Sequence, residues 1–186
     1  MKIILLRLTS LIFVSIIVSA CAAPRSQITS NKAENYSTEP KRIFVVTDVG
    51  SDFGKDFADS FQSKLITIAR GCGADVEVST ISTLELDNNV HSKKLKNFGA
   101  DTVMTVKRNG GTRTNGVLNH VIYNVKITDI QNKKTVWRAN VNFHRGGSFV
   151  VSTAERGQAL AVDIINKMIE DKIFNSCPPI TVSPNP

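Results

Sequence analysis

Apolar residues recur in short β-branched runs and in helical stripes, and their alternation predicts the element order from residue 42 onward. Residues 42–48 (RIFVVTD) form a short apolar run rich in β-branched side chains, as in a buried strand. Phe53, Phe57, Phe61, Leu65, Ile68, Ala69 and Cys72 then repeat at spacings of three and four, one continuous helical stripe. Ser51 is placed to cap that helix with Asp52 in its first turn, and Gly71 and Gly73 stop it. Residues 74–81 alternate Val76 and Val78 against Asp75 and Glu77, a second strand. Residues 87–98 predict a shorter helix ended by Gly99, residues 101–106 a third strand, and residues 109–116 (NGGTRTNG) a Gly-rich loop.

Period-two alternation is clearest in the next two strands. In residues 117–128, Val121, Tyr123, Val125 and Ile127 share one face and His120, Asn124, Lys126 and Thr128 the other. In residues 135–145, Trp137, Ala139, Val141 and Phe143 point inward while Arg138, Asn140, Asn142 and His144 point outward. For Ile127 and Trp137 to share a face the connecting loop must hold an odd number of residues. A three-residue turn with a left-handed residue at Asn132 or Lys133 satisfies this and sets His120 opposite His144. The sequence Ser152-Thr153-Ala154-Glu155 is a capping box. It opens a last helix whose stripe is Ala161, Ile164, Ile165, Met168, Ile169 and Ile173.

The expected fold is therefore α+β or α/β: a mixed five-stranded sheet in the order β-α-β-α-β-β-β-α, with the main helices on one face. The first and last helices both run opposite to the strands before them, and those strands share a direction. Their C-terminal ends then meet at one edge, which predicts a Cys72–Cys177 disulfide closing a loop of about a hundred residues.

The N-terminus gives the address. Lys2 and Arg7 make a basic start, and an apolar run follows that is too short and too interrupted to span a bilayer well. Val18-Ser19-Ala20-Cys21 then resembles the lipobox of bacterial lipoproteins. The resemblance implies removal of residues 1–20, acylation of Cys21 and a membrane anchor of more than one chain, which holds firmly. Ala22 and Ala23, rather than Asp, follow the cysteine, so the sorting rule of that family implies the outer membrane, facing the periplasm. Residues 21–41, polar and aperiodic, read as the lipidated cysteine and a flexible tether able to reach about 65 Å when stretched. Residues 42–177 form the periplasmic domain, and the proline-rich residues 178–186 a disordered tail.

Loss of Lys2 and Arg7 lowers the formal charge from +7 to +5. That balance favours anionic neighbours, whereas nucleic acid does not suit an exported, anchored chain. With Cys21 acylated, Cys72 and Cys177 remain in an oxidising compartment. No phosphate loop, zinc spacing, Ser-His-Asp order or paired carboxylate appears, so neither an enzyme nor a cofactor is expected. His120 and His144 lack a nearby Cys, Asp or Glu to complete a metal shell, so no metal site is assigned.

Two family resemblances follow. Gly99-Ala100-Asp101, strand, Gly-rich loop, strand, Asp129, turn and Val136-Trp137-Arg138-Ala139 resemble the group of periplasmic domains related to the TolB amino-terminal domain. Lys133 departs from that pattern where a glycine is usual, and the long membrane hairpins of its pore-forming members are missing. The resemblance implies a fold and a compartment and carries no catalytic residues. Size, basicity and anchoring are also similar to the lipopolysaccharide-assembly lipoproteins of the LptE type, although the helix at 87–98 departs from them. The expected function is thus binding of an envelope protein partner, with an anionic glycolipid or glycan as the alternative. The outward face of His120, Asn124, Lys126, Arg138, Asn140, Asn142 and His144 is the candidate docking surface.

Overall fold

A computed structural model describes residues 25–51, 53–82, 87, 89–146, 151–177 and 180. Residues 1–20, expected as a signal, and Cys21 lie outside those residues. The elements are β1 (Arg25–Lys32), β2 (Arg42–Thr47), α1 (Lys55–Gly71), β3 (Asp75–Thr80), α2 (Val90–Phe98), β4 (Thr102–Thr114), β5 (Val117–Asp129), β6 (Lys134–His144) and α3 (Thr153–Glu170). The mixed α+β architecture is as expected, but the sheet has six strands rather than five, in the order β1-β6-β5-β4-β2-β3. β2 pairs in parallel with β3 and β4, and the remaining pairs are antiparallel. None of the described helices is long and apolar enough to cross a membrane.

The extra strand comes from the segment read as a tether. β1 has one apolar side chain, Ile28, in eight residues, so hydrophobic patterning could not reveal it. Its ties to other elements explain it instead. Its whole length pairs with β6, Arg25 opposite His144 and Lys32 opposite Trp137. The Ser26 N–H donates to Asp163 on α3 at 2.8 Å. Ser30 Oγ donates to Asp171 at 2.5 Å, and Lys32 Nζ to the carbonyl of Lys172 at 2.8 Å. Of the expected tail only Ile180 lies among the described residues, and it exchanges two 2.7 Å hydrogen bonds with the side chain of Asn166.

α1 and α3 lie side by side on one face. Phe57, Phe61, Leu65 and Ile68 join Leu160, Ile164, Ile165 and Met168 in one buried cluster with Val121, Tyr123, Val125, Ile127, Trp137, Val141 and Phe143. Phe53, half-buried, packs against Phe57 with ring centroids 4.7 Å apart and planes tilted by 37°. The Cys72–Cys177 disulfide joins the far ends of the two helices, with Cα atoms 5.1 Å apart. A loop of that length corresponds to about 4–5 kcal/mol in the chain-entropy model. α2 sits on the opposite face at the β2–β3 end, where Phe98 meets buried Phe44 at 6.5 Å and Ser79 Oγ bonds His91 Nδ1 at 2.8 Å.

Three local expectations are corrected. Residues 109–114 are not loop; they extend β4, and only Asn115 and Gly116 (φ 51° and 78°) turn the chain. Asn-Gly in two left-handed positions is the favoured hairpin turn, and Gly110 and Gly111 stay paired with β5 between two register shifts. At Gly111 a Cβ would lie 2.6 Å from the His120 carbonyl, so the strands close only over a glycine. The β5–β6 turn is residues 130–133 rather than three residues, with Lys133 left-handed (φ 53°). A register shift beyond Ile127 takes up the difference, so His120 still faces His144. Finally, α1 starts at Lys55 behind Gly54 (φ 86°), not at Ser51. The Ser152–Glu155 capping box of α3 is present as expected.

The two main helices touch closely at Gly157, where a Cβ would lie 2.3 Å from the carbonyl oxygen of Phe57. Gly157→Ala should therefore cost about 1–3 kcal/mol through overpacking, offset by the roughly 1 kcal/mol of helix propensity that alanine gains, and the balance should be destabilising. Urea unfolding checks the sign; a stabilised variant would refute the close contact.

Asp171 ties β1 and β6 to the end of α3. It accepts from Trp137 Nε1 at 2.7 Å and from Ser30 Oγ, and Lys167 Nζ lies 3.3 Å away. Burial pushes its carboxyl upward, but these three partners together hold it below the usual aspartate range. Its stabilisation is thus present at neutral pH and is lost as pH falls through that lowered value. Asp171→Ala leaves the buried Trp137 indole unpaired and should cost about 1–3 kcal/mol at neutral pH. The gap to wild type should narrow in acid, which unfolding curves across pH will measure.

Candidate functional site: the open face of the sheet

α2 covers only β2 and β3 on its side of the sheet, so the same face of β4, β5, β6 and β1 carries no helix among the described residues. Strand alternation decides what points there. Reading across β1, β6, β5 and β4, one row is Arg25, His144, His120 and Thr112. Another is Thr29, Asn140, Asn124 and Lys107, and the next is Asn31, Arg138, Lys126 and Thr105. Of the seven residues expected on this face, Asn124, Lys126, Arg138, Asn140 and His144 are exposed, while His120 and Asn142 are half-buried. All seven are brought together as the alternation required.

The face is concave. A trough of about 690 Å³ runs across it, lined by Thr29, Asn31, Lys107, Arg108, Asn124, Lys126, Arg138 and Asn140 among others, with no carboxylate among the described lining residues. Lys126 and Arg138 stand directly opposite one another, a like-charge pair that costs stability. Asn140 Nδ2 donates to Asn124 Oδ1 at 3.3 Å, leaving the floor of the trough hydrogen-bond capable. Lys107, Arg108 and Asn109 were not anticipated here, because the strand was expected to end at Val106. Thr29 and Asn31 were hidden in the presumed tether. The Asn115-Gly116 pair, read as a hairpin turn, was the signal that would have found the first group.

At the Arg25 end the imidazoles of His120 and His144 stack, ring centroids 4.8 Å apart and planes 21° apart. Burial, then the neighbouring His144, holds the His120 pKa below the usual histidine value. His120 Nε2 and Asn142 Oδ1 are buried atoms without a hydrogen-bond partner. Among the described residues no group of three His, Cys, Asp or Glu converges as a metal site would require. The arrangement offers positive charge and amide groups to a ligand.

The fold and face together define a class: an α+β module with one sealed and one open, cationic sheet face. No family model and no curated protein matches the sequence. Among solved structures, the PelC dodecamer from Paraburkholderia phytofirmans is similar at TM-score 0.47 and 16% identity, covering 74% of this chain and 96% of that one. A PDZ domain protein from Parabacteroides distasonis is similar at TM-score 0.39 and 9% identity, covering 83% of this chain and 38% of that one.

Removing the repulsion across the trough should stabilise the fold. Lys126→Gln and Arg138→Gln should each add about 0.2–1 kcal/mol, and the double variant less than the total of the two. A double-mutant cycle by urea unfolding measures this; two destabilised single variants would show that the pair is not repulsive.

Proposed function

We propose that the chain is a non-enzymatic lipoprotein of the bacterial outer membrane, acylated at Cys21 and facing the periplasm, whose domain binds an envelope protein partner through the open sheet face. The observation that carries this reading is the Lys126–Arg138 pair in a trough without carboxylates. A fold retains such a repulsive arrangement where a ligand of opposite charge relieves it. The partner segment is therefore acidic, long enough to lie across several strands and able to bond Asn124 and Asn140. The lipobox-like Val18-Ser19-Ala20-Cys21 supports the anchor.

An anionic glycolipid or glycan is the second reading, supported by the +5 charge left after removal of Lys2 and Arg7. A photoreactive side chain at Asn140 in the anchored protein separates the two. One envelope protein should be crosslinked through an acidic segment, and Lys126→Glu with Arg138→Glu should abolish the product. Recovery of glycan adducts would favour the second reading, and no adduct of either kind would reject the face as a binding site.

A further inference from the structure

β1 joins the sheet on different terms from the strands beside it. β5 and β6 bury Tyr123, Val125, Ile127, Trp137 and Phe143. β1 brings one apolar side chain, Ile28, which stays half-buried. Among the described residues it pairs with β6 alone, at the edge of the sheet. Its other ties are polar: the Ser26 N–H to Asp163, Ser30 Oγ to Asp171 and Lys32 Nζ to the Lys172 carbonyl. Burial pushes the Asp163 carboxyl up, so the first of these bonds is made at the expense of a desolvated charge. Fixing a backbone segment costs conformational entropy that ladder hydrogen bonds return only in part, and apolar burial normally makes up the difference. A segment short of such burial opens ahead of the domain that carries it.

The chain beyond β1 is pinned. Tyr36 packs against the core, and the Glu39 carboxylate accepts from the Asn175 N–H at 3.0 Å, so opening stops short of Tyr36. With β1 docked, the four residues from Cys21 to Arg25 reach at most about 14 Å. With β1 released, the fifteen residues from Cys21 to Tyr36 reach about 50 Å. The same strand is a wall of the trough, which Thr29, Ser30 and Asn31 line on one side and Lys107 and Arg108 on the other. A ligand that spans the trough meets both walls only while β1 is docked, and binding that needs the docked form holds it docked by mass action. By reciprocity, opening of β1 lowers the affinity for that ligand.

We propose that β1 is a releasable strap that a partner in the trough locks onto β6, so that partner capture and the reach of the anchor form one coupled equilibrium. The lock rests on the acidic partner proposed above and the reach on acylation of Cys21; the release rests on neither. Hydrogen exchange of the full chain, extracted in detergent, reads the release. Because the Ser26 N–H points to Asp163, alternation aims the N–H groups of Gln27, Thr29 and Asn31 at β6. These should exchange about 100-fold faster than those of Tyr123 and Val125 in β5. Ser30→Ala should speed them about fivefold more and leave Tyr123 and Val125 unchanged. Equal protection of the two strands, or equal acceleration of both by Ser30→Ala, would overturn the release. Poly-L-glutamate at low salt reads the lock. It should bind the trough, with Lys126→Glu and Arg138→Glu together removing the binding, and at about ten times its Kd it should slow β1 exchange about tenfold. Binding that those substitutions remove, without slower β1 exchange, would overturn the lock. No such binding would reject the trough as a site for acidic segments and the lock with it, while the release is decided by exchange of the free protein.

Discussion

Two helices have to seal one face of a six-stranded sheet, and that limit shapes the molecule. A helix with its side chains is about 10 Å across and strands lie about 4.8 Å apart, so a pair of helices covers about four strands. α1 and α3 achieve this only by pressing together at Gly157, and the Cys72–Cys177 disulfide fastens their far ends. Among the described residues no comparable pair is left for the other face. α2, with nine residues, protects Phe44 and the β2–β3 end and nothing more. Among the described residues the rest of that face carries mostly Asn, Thr, Lys, Arg and His, with Val103 and Ile122 between them. The open polar face is a consequence of where the helices run out.

The elements with strong apolar periodicity were legible in the sequence, and those built on polar contacts were not. The stripe through Phe57, Phe61 and Leu65 and the alternation through Tyr123 and Trp137 each state their buried face directly, since burial is what creates the period. Even the His120–His144 pairing followed, because strand alternation carries register across a turn whose length was misjudged. β1 escaped because its stability lies in backbone pairing and in bonds to Asp163, Asp171 and the carbonyl of Lys172, contacts that leave no mark on neighbouring residues in the chain. The end of β4 escaped for a related reason: Gly110 and Gly111 imitate a loop, while the tight approach at Gly111 requires a glycine inside a strand.

The candidate site divides in the same way. Its central residues on β5 and β6 were visible from alternation, whereas its flanks came from strands that the sequence disguised. Thr29 and Asn31 on one side and Lys107 and Arg108 on the other turn a polar stripe into a trough with walls. The change matters for recognition. A flat stripe offers charge alone, while a walled trough with amides on its floor also selects by width and by hydrogen bonding.

Placing β1 in the sheet also changes what an anchor would mean for this domain. A flexible tether of some twenty residues would let the module search for partners at any orientation, with little coupling between membrane and binding face. A strand that begins four residues after Cys21 removes that freedom. The strands β1, β6, β5 and β4 all bring one end to the Arg25 edge, so an anchored domain would hold them roughly upright with respect to the bilayer. The trough crosses those strands, and its long direction would then lie along the membrane plane at a fixed height. A partner would meet it from the side. That geometry favours a protein that is itself rooted in, or passing through, the same envelope layer over one that diffuses freely, because both would arrive already aligned and the orientational cost of docking would be largely met before contact.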